Sequence, residues 1–113
     1  MTRDSEFVNK KYSFVAKNDD GGNVGLIKVE LLFQYAFVKT LIIDIDYRKK
    51  GAGSFLLAKA EEFAIANNCH SLWLDTFSFQ APSFYEKHGY QMFGQLSNYP
   101  DKHKRFFYCK KLT

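Results

Sequence analysis

A mixed α/β domain built on one sheet is what this sequence predicts, and three observations predict it. Residues 40–45 form a β-branched apolar run, too short for a helix, that reads as a strand. They lead into the basic glycine loop Tyr47-Arg48-Lys49-Lys50-Gly51-Ala52-Gly53-Ser54, after which Phe55, Leu56, Ala60, Phe63, Ala64 and Asn67 follow helical spacing. Residues 71–77 (SLWLDTF) then return as a strand. A strand, a helix and a strand in succession imply a right-handed crossover, with the two strands parallel.

The other elements follow from local chemistry. Residues 1–10 are charged and read as a frayed lead or a single helical turn. Tyr12, Phe14 and Ala16 alternate with Ser13, Val15 and Lys17, a strand pattern. Asn18-Asp19-Asp20-Gly21-Gly22-Asn23 is hairpin-turn chemistry. Residues 24–33 form a second strand, Gln34-Tyr35 turns the chain, and residues 36–46 make the third strand. The helix over 55–67 stops at Asn67-Asn68, residues that tolerate the left-handed conformation. Residues 81–87 form a short helix with Pro82 in its first turn, and Gly89 ends it. Residues 91–96 and 105–112 are strands around a loop at 97–104. The expected order is β-β-β-α-β-α-β-β.

Composition narrows the function. A chain of 113 residues, 46% apolar with twelve Phe and seven Tyr, suffices for one domain with a core of its own. The net charge of +4 gathers at residues 48–50 and 102–111, too mild and too local to argue for nucleic acid. Cys69 and Cys109 form no C-x-x-C pair and suggest no disulfide framework, so a reducing cytoplasm is the expected setting. His70, His88 and His103 lack metal-ligand spacing, so no metal is expected. Neither a signal peptide nor a membrane span is apparent.

The glycine loop has the make-up of an anion site. The first N–H groups of a helix lack internal partners, and the helix dipole adds partial positive charge there. Gly51 and Gly53 allow backbone amides to approach a diphosphate, with Arg48, Lys49 and Lys50 at the rim. A dinucleotide fingerprint would need glycine where Leu56 stands, and a nucleoside-triphosphate loop would need a lysine after Gly53. The Arg48-x-x-Gly51-x-Gly53 pattern instead resembles the acyl-CoA loop of the GNAT family of N-acetyltransferases. Phe84-Tyr85-Glu86-Lys87-His88-Gly89-Tyr90 resembles that family's Phe-Tyr-x-Lys-x-Gly-Phe helix and turn, at the family's separation from the loop. The resemblance covers residues 12–112. Thr76-Phe77-Ser78-Phe79-Gln80-Ala81-Pro82 and Asn98-Tyr99-Pro100, with His103 and Phe106, are similar to one subgroup of small bacterial members. The family usually starts with another strand and one or two helices that wall the acceptor groove. Their apparent lack here leads to an expectation of an open groove, a wall from another chain, or a relic.

What the resemblance implies is an acetyl-CoA-dependent N-acetyltransferase acting on an amine of a small molecule or peptide by direct transfer. An acyl-CoA-binding or regulatory module of the same fold is the alternative. In the family the third and fourth strands splay apart and the pantetheine arm lies between them. Leu41, Ile42 and Ile43 would offer backbone groups to it, and Ser78 stands where an asparagine often holds the arm. Arg48, Lys49, Lys50, Gly51, Ala52, Gly53 and Ser54 would hold the diphosphate. Tyr85 matches the family's general acid, and a phenol of ordinary pKa about 10 can donate to a thiolate of about 8.5. Asp44, Asp46, Asp75, His103 and ordered water remain open as the base. Asp75 alternates with Trp73 and Phe77, so desolvation is expected to raise its pKa. Phe14, Phe33, Phe37, Phe77, Phe106 and Phe107 are expected to fill the core. The exposed edge at residues 12–17, with only Phe7 and Val8 as cover, predicts a homodimer.

Overall fold

The computed structural model describes residues 10–99 and 101–113. The possible cover by Phe7 and Val8 lies outside the described residues, as does Pro100. The element order is β1 (Lys10–Lys17), β2 (Asn23–Leu32), β3 (Tyr35–Ile43), α1 (Ala52–Ala66), β4 (Ser71–Phe77), α2 (Pro82–Lys87), β5 (Gln91–Ser97) and β6 (Lys104–Lys111). All six strands join one sheet in the order β1-β2-β3-β4-β6-β5. β3 and β4 run parallel, as the crossover requires, while every other neighbouring pair is antiparallel.

Both boundaries of β3 move for identifiable reasons. β3 stops at Ile43 because Asp44 caps a 3-10 turn over Ile45–Tyr47, its carboxylate accepting from the Asp46 N–H at 3.1 Å. The turn before β3 falls on Phe33 and Gln34, with Phe33 in the left-handed region at φ 58°. A bulky side chain rarely adopts that conformation, so composition alone pointed elsewhere.

The core lies on the helical side of the sheet. Ile27, Val29, Leu31, Ala36, Val38, Leu72, Leu74 and Tyr108 meet Leu56, Leu57, Ala60 and Ala64 of α1, with Tyr85 and Tyr90 around α2. Full burial stabilises each large aliphatic side chain by about 1.5–3 kcal/mol. The aromatic residues divide differently from expectation. Phe14 and Phe106 pack against this core, but Phe33 is exposed, and Phe37, Phe77 and Phe107 are only half-buried. In β4, Trp73, Asp75 and Phe77 alternate with buried Leu72, Leu74 and Thr76, so they occupy the opposite face. Phe37 and Phe107 stand opposite Trp73 and Asp75 in register and share that face.

Two polar clamps seat the helices. The Tyr90 hydroxyl and Lys110 Nζ both donate to Glu61 of α1, at 2.8 and 3.1 Å. The Tyr108 hydroxyl donates to Glu86 of α2 at 2.9 Å. The first hairpin is tied to the glycine loop as well, through Asn18 Nδ2 donating to the Tyr47 hydroxyl at 3.2 Å.

Candidate active site

The parallel pairing of β3 with β4 runs only from Tyr35↔Ser71 to Val38↔Leu74. Beyond it β3 continues to Ile43 beside β2 and β4 continues to Phe77 beside β6, so a wedge-shaped gap opens in the sheet. Backbone alternation determines which groups face that gap. Asp44 N–H donates to Val24 C=O across the β2/β3 ladder, and Leu26↔Ile42 and Lys28↔Thr40 lie two and four residues along the same register. Ile42 therefore spends its backbone groups on β2, whereas Leu41 and Ile43 turn theirs into the gap. The Ile43 carbonyl accepts from Arg48 Nε at 3.2 Å, which draws the loop to the gap's mouth.

The loop begins α1 earlier than helical spacing implied. Gly51 is the N-cap with φ 89°, and the first helical bond runs from Phe55 N–H to Gly51 C=O at 2.9 Å. No side chain caps this end, and the N–H groups of Ala52, Gly53 and Ser54 have no backbone acceptor among the described residues. Gly51 needs glycine for its φ, since a Cβ there would meet nothing within 4 Å. Gly53 needs it for space, because a Cβ would stand 3.2 Å from the Phe84 ring. That contact brings α2 against the start of α1. Arg48, Lys49 and Lys50 are exposed, with Lys50 Nζ 5.4 Å from the centre of the Tyr47 ring.

Sequence reasoning missed His88. Its Nε2 lies 3.0 Å from Ser54 Oγ, joining the end of α2 to the loop. The Tyr85-x-x-His88 spacing, one helical turn, was the available signal. The partner Ser54, 34 residues away, was not legible.

Tyr85 is buried against the rings of Phe84, Tyr90 and Tyr108 at 5.2, 6.1 and 6.4 Å. Its hydroxyl has no hydrogen-bond partner among the described residues. Burial, and secondarily the charge of Asp75, push its pKa up to about 12. The phenol therefore holds its proton more firmly than an unperturbed tyrosine would. Ser78 is exposed at the end of β4, where its Oγ accepts from Lys104 N–H at 3.0 Å.

The basic candidates are dispersed. Asp44 caps the 3-10 turn, and Asp46 is exposed on it. His103 is exposed, its ring meeting Phe79 edge-on at 4.7 Å. Asp75 is no lone desolvated acid, because Arg105 Nη2 donates to its Oδ2 at 2.8 Å. Phe77↔Arg105 is a cross-strand pair, so this partner depended on a register that no local pattern revealed.

Comparison with known proteins supplies the context. The profile of the acetyltransferase (GNAT) family matches residues 2–90. A blasticidin-S acetyltransferase of Streptomyces morookaense is 36% identical over 81 residues, 71% of this chain and 57% of that protein. The chain spans about half the length of the curated relatives it matches. The crystal structure of an acetyltransferase from Bacillus cereus superimposes with a TM-score of 0.90 at 35% identity, covering 99% of this chain and 80% of that one. A Bacillus anthracis protein solved in complex with acetyl coenzyme A has the same fold, with a TM-score of 0.81 at 24% identity, covering 95% of this chain and 66% of that one.

Proposed function

This chain belongs to the acetyltransferase (GNAT) family, and on that premise we propose that it moves an acetyl group from acetyl-CoA directly to a small-molecule amine. One observation carries the reading: the gap between β3 and β4 opens beside the uncapped N-terminus of α1. An extended thioester with an anionic head matches both parts. Amides of Ala52, Gly53 and Ser54 receive the diphosphate, with Arg48, Lys49, Lys50 and Gly51 around it. The arm lies along the backbone groups of Leu41 and Ile43 as an added strand would, between Ile42 and Ser78 at the gap's borders.

Transfer forms a C–N bond from the amine to the acetyl carbon and breaks the C–S bond. The departing thiolate takes the Tyr85 proton, and the amine yields its own proton to ordered water or a nearby carboxylate. Tyr85 then recovers a proton from solvent. A name that specifies blasticidin S belongs to a relative and supports a small-molecule acceptor over a peptide.

The test is thiol release from acetyl-CoA across a panel of amines, with calorimetry of acetyl-CoA binding beside it. Gly51→Val should weaken that binding strongly, while Lys59→Ala, on the exposed side of α1, should leave it alone. Equal binding by both variants and the unmodified protein would remove the loop from the site. Saturable binding with no turnover of any amine would favour a CoA-binding module.

A further inference from the structure

At the open end of the gap, the face of the sheet away from the helices carries an aromatic shelf. Phe77, the last residue of β4, stacks on Phe79 at 5.2 Å and 15°, and on Tyr99 at 6.0 Å and 13°. Phe79 is 58% exposed and Tyr99 46%, so the near-parallel rings face solvent. The segments bearing them are pinned. Gln80 Oε1 accepts from Thr76 Oγ1 and Phe77 N–H, Ser78 N–H donates to Lys104 C=O, and Tyr99 N–H donates to His103 C=O. Asn98 and Asp101, flanking that last turn, have φ of 54° and 51°. Asn and Asp adopt this left-handed conformation more readily than other side chains, so the turn is suited to its residues.

The shelf already accommodates one flat cation. The Arg105 guanidinium lies 5.4 Å from the Tyr99 ring centre and 5.1 Å from that of Phe107, anchored by Asp75 at 2.8 Å. Ring faces attract cations and offset π systems, so the exposed parts of Phe79, which His103 meets edge-on at 4.7 Å, and of Tyr99 offer the same chemistry to a ligand. Asp75 uses only Oδ2 toward Arg105, leaving Oδ1 without a protein partner among the described residues.

We propose that this shelf is the acceptor subsite, and that its ligand is a small cationic amine built on a flat conjugated group. The assignment of this ligand as the acceptor rests on the acetyl-transfer reading above. The flat group stacks on Phe79 and Tyr99 while the amine reaches the gap, which Asp75 and Phe77 border on β4. An aliphatic polyamine has the charge but no face to stack, and binds more weakly.

Calorimetry on the CoA-loaded protein tests this, with tryptamine as the flat probe and putrescine as the aliphatic one. Tryptamine should bind at least about tenfold tighter, and Phe79→Ala and Tyr99→Ala should each weaken it by about tenfold. Acetyl-CoA affinity should remain unchanged in both variants, and Ile65→Ala on α1 should alter nothing. Equal affinities for the two amines, or tryptamine binding that survives both substitutions, overturns the shelf. Thiol release separates the two readings. Tryptamine bound through Phe79 and Tyr99 without thiol release from any amine supports the shelf and removes acetyl transfer. Turnover of putrescine in preference to tryptamine keeps acetyl transfer and overturns the shelf.

Discussion

A phenol with its pKa pushed up to about 12 is a reluctant acid, and Tyr85 must be judged with that in mind. It is protonated at every pH at which the protein would work, so the donor is always loaded. If it supplies the thiolate's proton, Tyr85→Phe should lower kcat by about 10²–10⁴-fold with acetyl-CoA affinity little changed. An unchanged kcat at saturating donor would return the residue to the core. Stability should follow the same shift. The unfolded tyrosine loses its proton near pH 10, about two units below the folded one, so the contribution of Tyr85 is complete below that pH. It is lost as pH rises towards 12. Tyr108, also pushed up to about 12 by burial and Glu86, acts in the same direction. Thermal melts should therefore be insensitive to these groups up to about pH 9.5 and fall steeply above pH 10. A midpoint flat through pH 11 would contradict both shifts. At this scale the sequence singled out Tyr85, Gly51 and the basic rim as candidates because they sit in contiguous motifs. It was silent on Arg105 with Asp75 and on His88 with Ser54, since those pairs exist only after strands and helices have docked.

Elements were more legible than their ends. Alternation located the strands and helical spacing located α1, because both patterns reflect which face is buried. The ends of β3 and α1 were set instead by single groups, the Asp44 cap and the left-handed Gly51. The contact between α1 and α2 depends on a missing methyl group. Gly53→Ala would place a Cβ 3.2 Å from Phe84, forcing that ring or α2 to shift. Where Phe84 does not yield, overpacking of this kind costs about 1–3 kcal/mol, against the roughly 1 kcal/mol that alanine gains over glycine in a helix, and the same shift would disturb Tyr85, the next residue. Denaturant melts should show the loss of stability, and kcat should fall with it. A variant as stable and as active as the parent would mean that Phe84 yields freely. At the far end of α1, Tyr90→Phe removes one of the hydrogen bonds to Glu61 but keeps Lys110 in place. A loss of about 1–2 kcal/mol is expected, because a hydrogen bond to a charged group is worth more than a neutral one.

At the scale of the whole molecule, the two outer strands of the sheet among the described residues differ in character. β1 carries Lys10, Lys11 and Lys17, charges that discourage edge-to-edge pairing. β5 presents Met92, Phe93 and Leu96, each more than two-fifths exposed. A homodimer, if formed through a sheet edge, is therefore expected at β5 rather than at β1, the edge that first suggested one. Light scattering should report a dimer that Phe93→Lys dissociates. A monomer at working concentrations would leave β5 as a surface without a like partner.

The split in the sheet has a consequence for how this protein exchanges hydrogen with water. Amides in the middle of a central strand are ordinarily among the slowest to exchange, released only by global unfolding. Leu41 and Ile43 lie well inside the sheet, yet their N–H groups face an opening rather than a neighbouring strand. They should exchange like loop amides, while Ile42 between them stays protected through β2. An alternating fast-slow-fast signature along three consecutive residues follows. Occupation of the gap by an extended ligand would convert it to uniform protection.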